Sequence, residues 1–330
     1  MAYELEKQVA VAAVRQAAQL CETVRQTLVP EAIEKNDKSP VTVADFGAQA
    51  IICRALAEAF PQDAVVGEED AAALRQPEMA GPLATVTAQV QQHLATATAE
   101  DVLTWIDHGN GTVSSRYWTL DPIDGTKGFL RGDQYAIALA LVENGDLKVG
   151  VLGCPYLSFD GGDRGLLFVA VRGEGAMMMP LAGGDPQPLQ VVQDPQSDRF
   201  RFVESVESGH GNQSQQNAMA QAVGIQSPSM GMDSQAKYAA VAAGQAALYL
   251  RLPSPKTPDY REKIWDHAAG TLVVQEAGGC VTDMHGKPLD FSQSARLEDN
   301  RGVVVSNGTI HAEVLAALAT HPTESQADKP

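Results

Sequence analysis

The stretch WTLDPIDGTKGFLRGD, Trp118 to Asp133, places Asp121, Asp124, Gly125 and Thr126 directly behind an apolar run. Pro122 favours an extended residue before it and a turn after it, so the side chains of Asp121 and Asp124 can converge at the end of a strand. Two neighbouring carboxylates raise each other's pKa, and a cation between them removes that penalty. An all-oxygen donor set points to Mg²⁺ or Mn²⁺, because zinc calls for histidine or thiolate. Taken alone, DPIDG also reads as a turn with solvated aspartates.

Similar acids recur at other element ends. Glu68 and Glu69 follow the strand-like AVV, Asp266 opens a helix after EKIW, and Asp45 stands at a helix start in SPVTVADF. Each has a plain alternative: an exposed turn for GEED, a helix N-cap for Asp266, a dipole-stabilising acid for Asp45. After Asp124 a helix can begin with unpaired N–H groups, a ready place for a phosphate, and Gly125 lets a ligand approach the backbone of Gly125 and Thr126.

Outward from this centre, the chain of 330 residues is 44% hydrophobic, enough for one large domain or two coupled ones. Its net charge of −17 opposes nucleic acid and anionic membrane as partners. Cys21, Cys53, Cys154 and Cys280 show no C-x-x-C spacing, which suits buried thiols in a reducing compartment and disfavours zinc. The N-terminus lacks the basic and apolar regions of a signal peptide, and no run approaches the roughly 20 apolar residues of a membrane span. A cytoplasmic location is the expectation.

Leu5, Val9, Ala13, Ala17, Leu20 and Val24 follow helical spacing, as does the segment Ala44 to Ala59. Val65 and Val66 form a short strand, and Ala71 to Gly111 reads as a helical or loop insertion. YWTLD, AIALALV, KVGVLGCP, GLLFVAV and GAMMM predict a mostly antiparallel sheet, with ENGD and RGEG as hairpin turns. The later chain alternates helices and strands, which is α/β layering. A break near Gln187 to Asp198 predicts an N-terminal unit over 1–190 and a C-terminal one over 191–320, with a disordered tail over 321–330.

WTLDPIDGTKGF, the upstream GEED and the downstream WDHAAGTLVVQEAGG together resemble the inositol monophosphatase family of metal-dependent phosphatases, from about Ser39 to Asn307. DGTKGF, MDSQAKYAAVAAG and EKIWDHAAG resemble its 3′(2′),5′-bisphosphate nucleotidase subgroup, which removes the 3′-phosphate of adenosine 3′,5′-bisphosphate to give AMP. The resemblance implies an αβαβα fold of alternating helix and sheet layers. It implies a first Mg²⁺ on Glu68, Asp121 and the Ile123 carbonyl, a second on Asp121, Asp124 and Asp266, and a third, weaker position near Asp45 and Glu68; Mn²⁺ is an alternative, and Li⁺ and Ca²⁺ are expected to inhibit. Asp45 matches the acid that pairs with Thr126, and Glu69 has no ligand role. His210, Ser234 and Lys237 match nucleotide-contacting positions, and Arg251 joins them as a candidate cation for a second phosphate. Alone, Lys237 reads as a solvated helix charge and His210 as an exposed loop residue.

These groups permit in-line attack by metal-activated water on a phosphate monoester, oriented by Asp45 and Thr126. 3′-Phosphoadenosine 5′-phosphosulfate is a further candidate substrate. The alternatives are an inositol monophosphate, inositol polyphosphate 1- or fructose 1,6-bisphosphate phosphatase, or a non-catalytic divalent-metal-binding protein, although no EF-hand spacing is present. Oligomeric state is left open.

Overall fold

A computed structural model describes residues 2–28, 33–34, 40–206, 213–254, 257 and 259–320. The expectations for His210 and for the tail over 321–330 lie outside the described residues. The helices are α1 (Glu4–Thr27), α2 (Val43–Ala59), α3 (Ala80–Gln91), α4 (Ala99–Asp107), α5 (Thr126–Arg131), α6 (Gln213–Ala222), α7 (Ala236–Ala242), α8 (Ala268–Glu276) and α9 (His311–Thr320). The strands are β1 (Ile33–Glu34), β2 (Pro40–Val41), β3 (Ala64–Gly67), β4 (Arg116–Asp124), β5 (Ala136–Glu143), β6 (Asp146–Cys154), β7 (Leu166–Val171), β8 (Gly175–Pro180), β9 (Gln187–Pro188), β10 (Phe202–Ser205), β11 (Met230–Met232), β12 (Leu248–Arg251), β13 (Cys280–Thr282) and β14 (Val303–Ser306).

β3 to β9 form one sheet in chain order, with β3 parallel to β4 and every later pair antiparallel. The ENGD hairpin turns on Asn144 and Gly145, both at positive φ, the conformation that suits a two-residue connection. A second sheet has the order β11-β10-β12-β14-β13, with β10 parallel to both neighbours and β14 antiparallel to both of its own.

Strand alternation sends side chains to opposite faces, and here it separates the core. Ile137, Leu139 and Leu141 of β5 join Trp118, Leu120, Val149 and Val151 beneath α1 and α2. Ala136, Ala138 and Ala140 point the other way, toward α8. Small residues let that helix lie close: a Cβ on Gly150 would come within 2.9 Å of the Ala269 carbonyl oxygen. The middle space also holds α7 and the inner face of the second sheet, Val203, Tyr249, Val303 and Val305. Phe202, Leu248, Leu250 and Val304 face outward against α6 and α9. The order is therefore helix, sheet, helix, sheet, helix.

The insertion after Ala71 forms α3 and α4, which pack on α2 rather than at the end of β4. The buried face of α1 starts at Ala10 and leaves Leu5 exposed. Cys21, Cys53 and Cys154 are buried, as their type suggests, but Cys280 on β13, an edge strand, is half-exposed. No helix among the described residues is long and apolar enough to cross a membrane.

Candidate active site

The acids of DPIDG converge through a change of register. Asp121 pairs with Ala138 and Asp124 with Ala136, so three steps along β4 match two along β5. A regular strand would point residues three apart to opposite faces; the extra residue restores the same side. Pro122 falls inside this bulge, where a missing donor costs the ladder nothing. Ile123 N–H donates to Asp121 Oδ1 at 3.1 Å.

Asp121 is 2% exposed. Burial and the charges of Glu68, Asp124 and Asp266 push its carboxyl well above the ordinary range, and it is hydrogen-bonded to Glu68. Burial likewise raises Asp124, against the pull of Lys237 and of the Gln235 N–H that donates to Oδ2 at 2.5 Å. Asp266 is raised strongly by burial and then by Asp124, Glu262 and Glu68. Four acids from three distant segments thus oppose one another, Asp121 buried and Glu68, Asp124 and Asp266 partly so.

Glu68 follows β3, which is parallel to β4, so both strands deliver acids at the same end. Its N–H donates to the Leu120 carbonyl at 3.1 Å. The next residue, Glu69, is 3% exposed rather than in an exposed turn. Buried Gln49 of α2 clamps it, accepting the Glu69 N–H at 3.1 Å and donating to the carbonyls of Glu69 and of Ile106. Asp45 lies one turn before Gln49 on the same helix face. Its Oδ2 accepts the Thr42 N–H and hydroxyl at 2.8 and 2.6 Å, a capping box, while Oδ1 accepts the Thr126 hydroxyl at 3.3 Å. The Ile123 carbonyl is also 3.3 Å from that hydroxyl.

Opposite the acids stands the segment before and within α7. Ser234 has a φ of 62° and packs against Gly125, where a Cβ would come within 3.0 Å of the Ser234 Cβ. Lys237 is 4% exposed. Its Nζ donates to the Met232 carbonyl at 3.4 Å and stands 5.2 Å from the centre of the Tyr249 ring, and burial lowers it to about 8. Arg251 Nε is held by Glu262 Oε1 at 3.1 Å, Glu262 Oε2 is 3.4 Å from His267 Nε2, and His267 Nδ1 meets the Tyr238 hydroxyl at 2.7 Å. Burial would raise Glu262, but Arg251 and His267 bring it down to about 2. A cavity of about 260 Å³ between the acids and these cations is lined by Glu68, Asp124, Gly125, Thr126, Ser234, Lys237, Arg251 and Asp266.

A profile of the inositol monophosphatase family matches residues 3–323. The chain belongs to the inositol monophosphatase family. Among curated relatives it is 46% identical to a 3′(2′),5′-bisphosphate nucleotidase of Schizosaccharomyces pombe, covering 97% of this chain and 96% of that one. It is 42% identical to a 3′(2′),5′-bisphosphate nucleotidase of Emericella nidulans, over 96% of this chain and 98% of that one. The inositol monophosphatase of Anabaena shares the fold with a TM-score of 0.65 at 19% identity, over 99% of this chain and all of that one.

In this family member, the acids expected from sequence meet at one end of β3 and β4, while Asp121 and Ile123 lie beneath the cavity rather than on its wall. Asp266 does not cap α8: it ends a 3₁₀ turn, Ile264–Asp266, and His267 occupies the cap position without a side-chain bond. Lys237 is not a solvated helix charge, since every residue of α7 is buried between the two sheets. Glu262, Asp266 and His267 bring ligand atoms within 4.8 Å of one another, but Glu262 and His267 are engaged with Arg251 and Tyr238. Of that trio, Asp266 is the one turned against the other carboxylates.

Sequence reasoning did not find Gln49, Asp233, Gln235, Glu262 or His267. Two had a signal: Gln49 stands four residues after Asp45, and His267 adjoins Asp266. Asp233, 3% exposed, is bound by Arg131 at 2.5 Å, which ties α5 to the segment before α7.

Proposed function

We propose that the chain is a Mg²⁺-dependent phosphomonoesterase that hydrolyses the 3′-phosphate of adenosine 3′,5′-bisphosphate to AMP and phosphate, and also accepts 3′-phosphoadenosine 5′-phosphosulfate. The observation that carries this is a cluster of mutually repelling carboxylates, one buried and the others partly buried, across one small cavity from a buried lysine and an arginine, in a chain 46% identical to a bisphosphate nucleotidase. The donor chemistry fits hard divalent cations: carboxylate and carbonyl oxygens gather at the end of β4, where burial raises Asp121, Asp124 and Asp266 and neighbouring acids add to it, although Lys237 pulls against the rise at Asp124 and Arg251 at Asp266.

Glu68, Asp121 and the Ile123 carbonyl would hold one Mg²⁺, Asp121, Asp124 and Asp266 another, with Asp45 and Glu68 near a weaker third; Mn²⁺ would substitute, and Li⁺ and Ca²⁺ would inhibit. Bound Mg²⁺ supplies Lewis-acid charge to the phosphoryl oxygens and lowers the pKa of attacking water. The chain's own groups do the rest. Thr126 Oγ1, between Asp45 Oδ1 and the Ile123 carbonyl at 3.3 Å each, accepts a hydrogen bond from the attacking water as its own proton points to Asp45. Asp45, on a helix start with its other oxygen fixed by Thr42, is the base at the end of that path. Gly125 and Thr126 N–H groups hold the phosphate undergoing cleavage.

Ser234, Lys237 and Arg251 hold the rest of the nucleotide. Glu262 keeps the Arg251 guanidinium in one orientation, so little freedom is lost when it grips a phosphate. Lys237 supplies a positive charge in a molecule of net charge −17. A cytoplasmic location belongs to the same reading, supported by unpaired, buried Cys21, Cys53 and Cys154.

The test is phosphate release from adenosine 3′,5′-bisphosphate, inositol 1-phosphate and fructose 1,6-bisphosphate, each with and without Mg²⁺ after metal stripping. Magnesium-dependent release favouring the nucleotide is expected. Preference for either sugar phosphate would overturn the roles of Ser234, Lys237 and Arg251, and release without divalent cation would overturn the metal reading.

A further inference from the structure

Gln235 is 1% exposed, and its polar groups reach two segments far apart in the chain, the end of β4 and the stretch from the 264–266 turn into α8. Its N–H donates to Asp124 Oδ2 at 2.5 Å, at the end of β4. Its side-chain Nε2 donates to the Trp265 carbonyl at 2.9 Å, the residue before Asp266. Its Oε1 accepts the Gly270 N–H at 3.1 Å, in the first turn of α8. On either side stand Ser234, in a left-handed conformation, and Lys237 on α7.

The geometry has a physical consequence. A primary amide with both ends bonded in a dry interior has one rotamer open to it, because any other leaves a buried donor or acceptor unpaired. The turn that carries Asp266 packs against β4 and β5, and its start is held by the Ile264 N–H, which donates to the Ala295 carbonyl at 3.2 Å; the bond from Gln235 to the Trp265 carbonyl fixes the turn at the residue next to Asp266. The residue that grips it also carries the N–H on Asp124, so two acids repelling each other are tied to one residue between the two nucleotide-facing side chains.

We propose that Gln235 is a positioning residue that fixes the carboxylates of Asp124 and Asp266 in one register with Ser234 and Lys237, so that cation binding and nucleotide placement depend on a single buried amide. This rests on the phosphatase reading for what each half holds. Gln235 touches neither reacting atom nor nucleotide in this scheme; it acts through Asp266 and the α7 segment.

The test uses the full chain with Gln235→Met, which removes both side-chain bonds at similar volume and keeps the N–H on Asp124, and Gln235→Asn, which keeps the amide one methylene short. Two readouts are taken per folded molecule, with the folded fraction measured by circular dichroism: Mn²⁺ affinity by electron paramagnetic resonance of the free ion, and steady-state hydrolysis of adenosine 3′,5′-bisphosphate. Groups that orient metal ligands cost about 10- to 100-fold when removed. Gln235→Met is expected to weaken Mn²⁺ binding about 10-fold and to lower kcat about 30-fold with KM within about 3-fold, and Gln235→Asn to move both in the same direction by less. A loss of activity that tracks the folded fraction, with Mn²⁺ affinity per folded molecule unchanged in both variants, would mean a purely structural residue and overturn the proposal. Should the unsubstituted chain leave the nucleotide intact, the substrate reading falls, and the Mn²⁺ measurement still decides the role of Gln235.

Discussion

Asp283 and Asp121 are both buried aspartates, 0% and 2% exposed, yet their surroundings are opposite. Asp283 Oδ1 accepts the N–H groups of His285 and Lys287 at 2.8 and 2.9 Å, and Oδ2 those of Arg301 and the Asn300 amide at 3.3 and 3.4 Å. Asp121 has one backbone donor and otherwise faces Glu68, Asp124 and Asp266. Burial of an acid is therefore no sign of function by itself. A carboxylate ringed by N–H groups closes a loop; one ringed by carboxylates stores repulsion that a cation releases.

The sharpest break of this comparison is Asp121→Asn. Loss of an acid shared between two proposed cation positions should lower turnover at least about 10³-fold, roughly 4 kcal/mol of transition-state stabilisation, while the metal-free fold stays intact. Phosphate release and thermal unfolding of the stripped protein check both halves; near-normal turnover would remove Asp121 from the site. Asp283→Ala should do the reverse, costing about 3 kcal/mol of stability by leaving buried N–H groups unpaired, with kcat of the folded protein within about 2-fold. Denaturant unfolding and active-fraction kinetics measure it.

Lys237→Met comes next in size. Removing a buried cation proposed to face the nucleotide should raise KM for adenosine 3′,5′-bisphosphate about 10- to 30-fold, 1.4 to 2 kcal/mol, with a smaller change in kcat. Equal losses in KM for inositol 1-phosphate would mean that Lys237 serves the fold and not the nucleotide.

The smallest effect is a pH slope. Asp121 and Asp266 titrate above their unfolded value of 3.8, so the native state binds more protons and stability falls as pH rises from about 4 through the raised values. Lys237, lowered from 10.5 to about 8, acts oppositely, adding stability as pH rises between those values. Between pH 5 and 8 the melting temperature of the stripped protein should drop by a few °C, a change that Mg²⁺ abolishes, Asp121→Asn reduces and Asp283→Ala leaves in place. A flat profile without metal would mean that the carboxylates of the cluster are already compensated.

Much of the fold was legible because it rests on local pattern. Alternating runs such as AIALALV and the Asn144–Gly145 turn made the antiparallel sheet readable, and helical spacing marked α1 and α2. The plain reading of Lys237 failed for a reason that spacing cannot carry: a helix in the middle layer has no solvent face, and α7 is buried on every side. Gln235 was invisible for a related reason, and the spacing of Gln49 from Asp45 put it on the same helix face without showing what it would hold. Their partners lie 20 to 111 residues away, farther than local pattern reaches.

From the sequence alone came the chemistry: acids at the ends of strands and helices, glycine and threonine behind them, oxygen donors suited to a hard cation, and a net charge of −17. These follow from residue type and spacing of a few positions. Tertiary structure alone decided which acids oppose one another, which are satisfied, and which cation faces them. Whether a buried charge is paired or stranded depends on groups that only folding brings within a few ångströms, where the energy of a carboxylate is set by its neighbours.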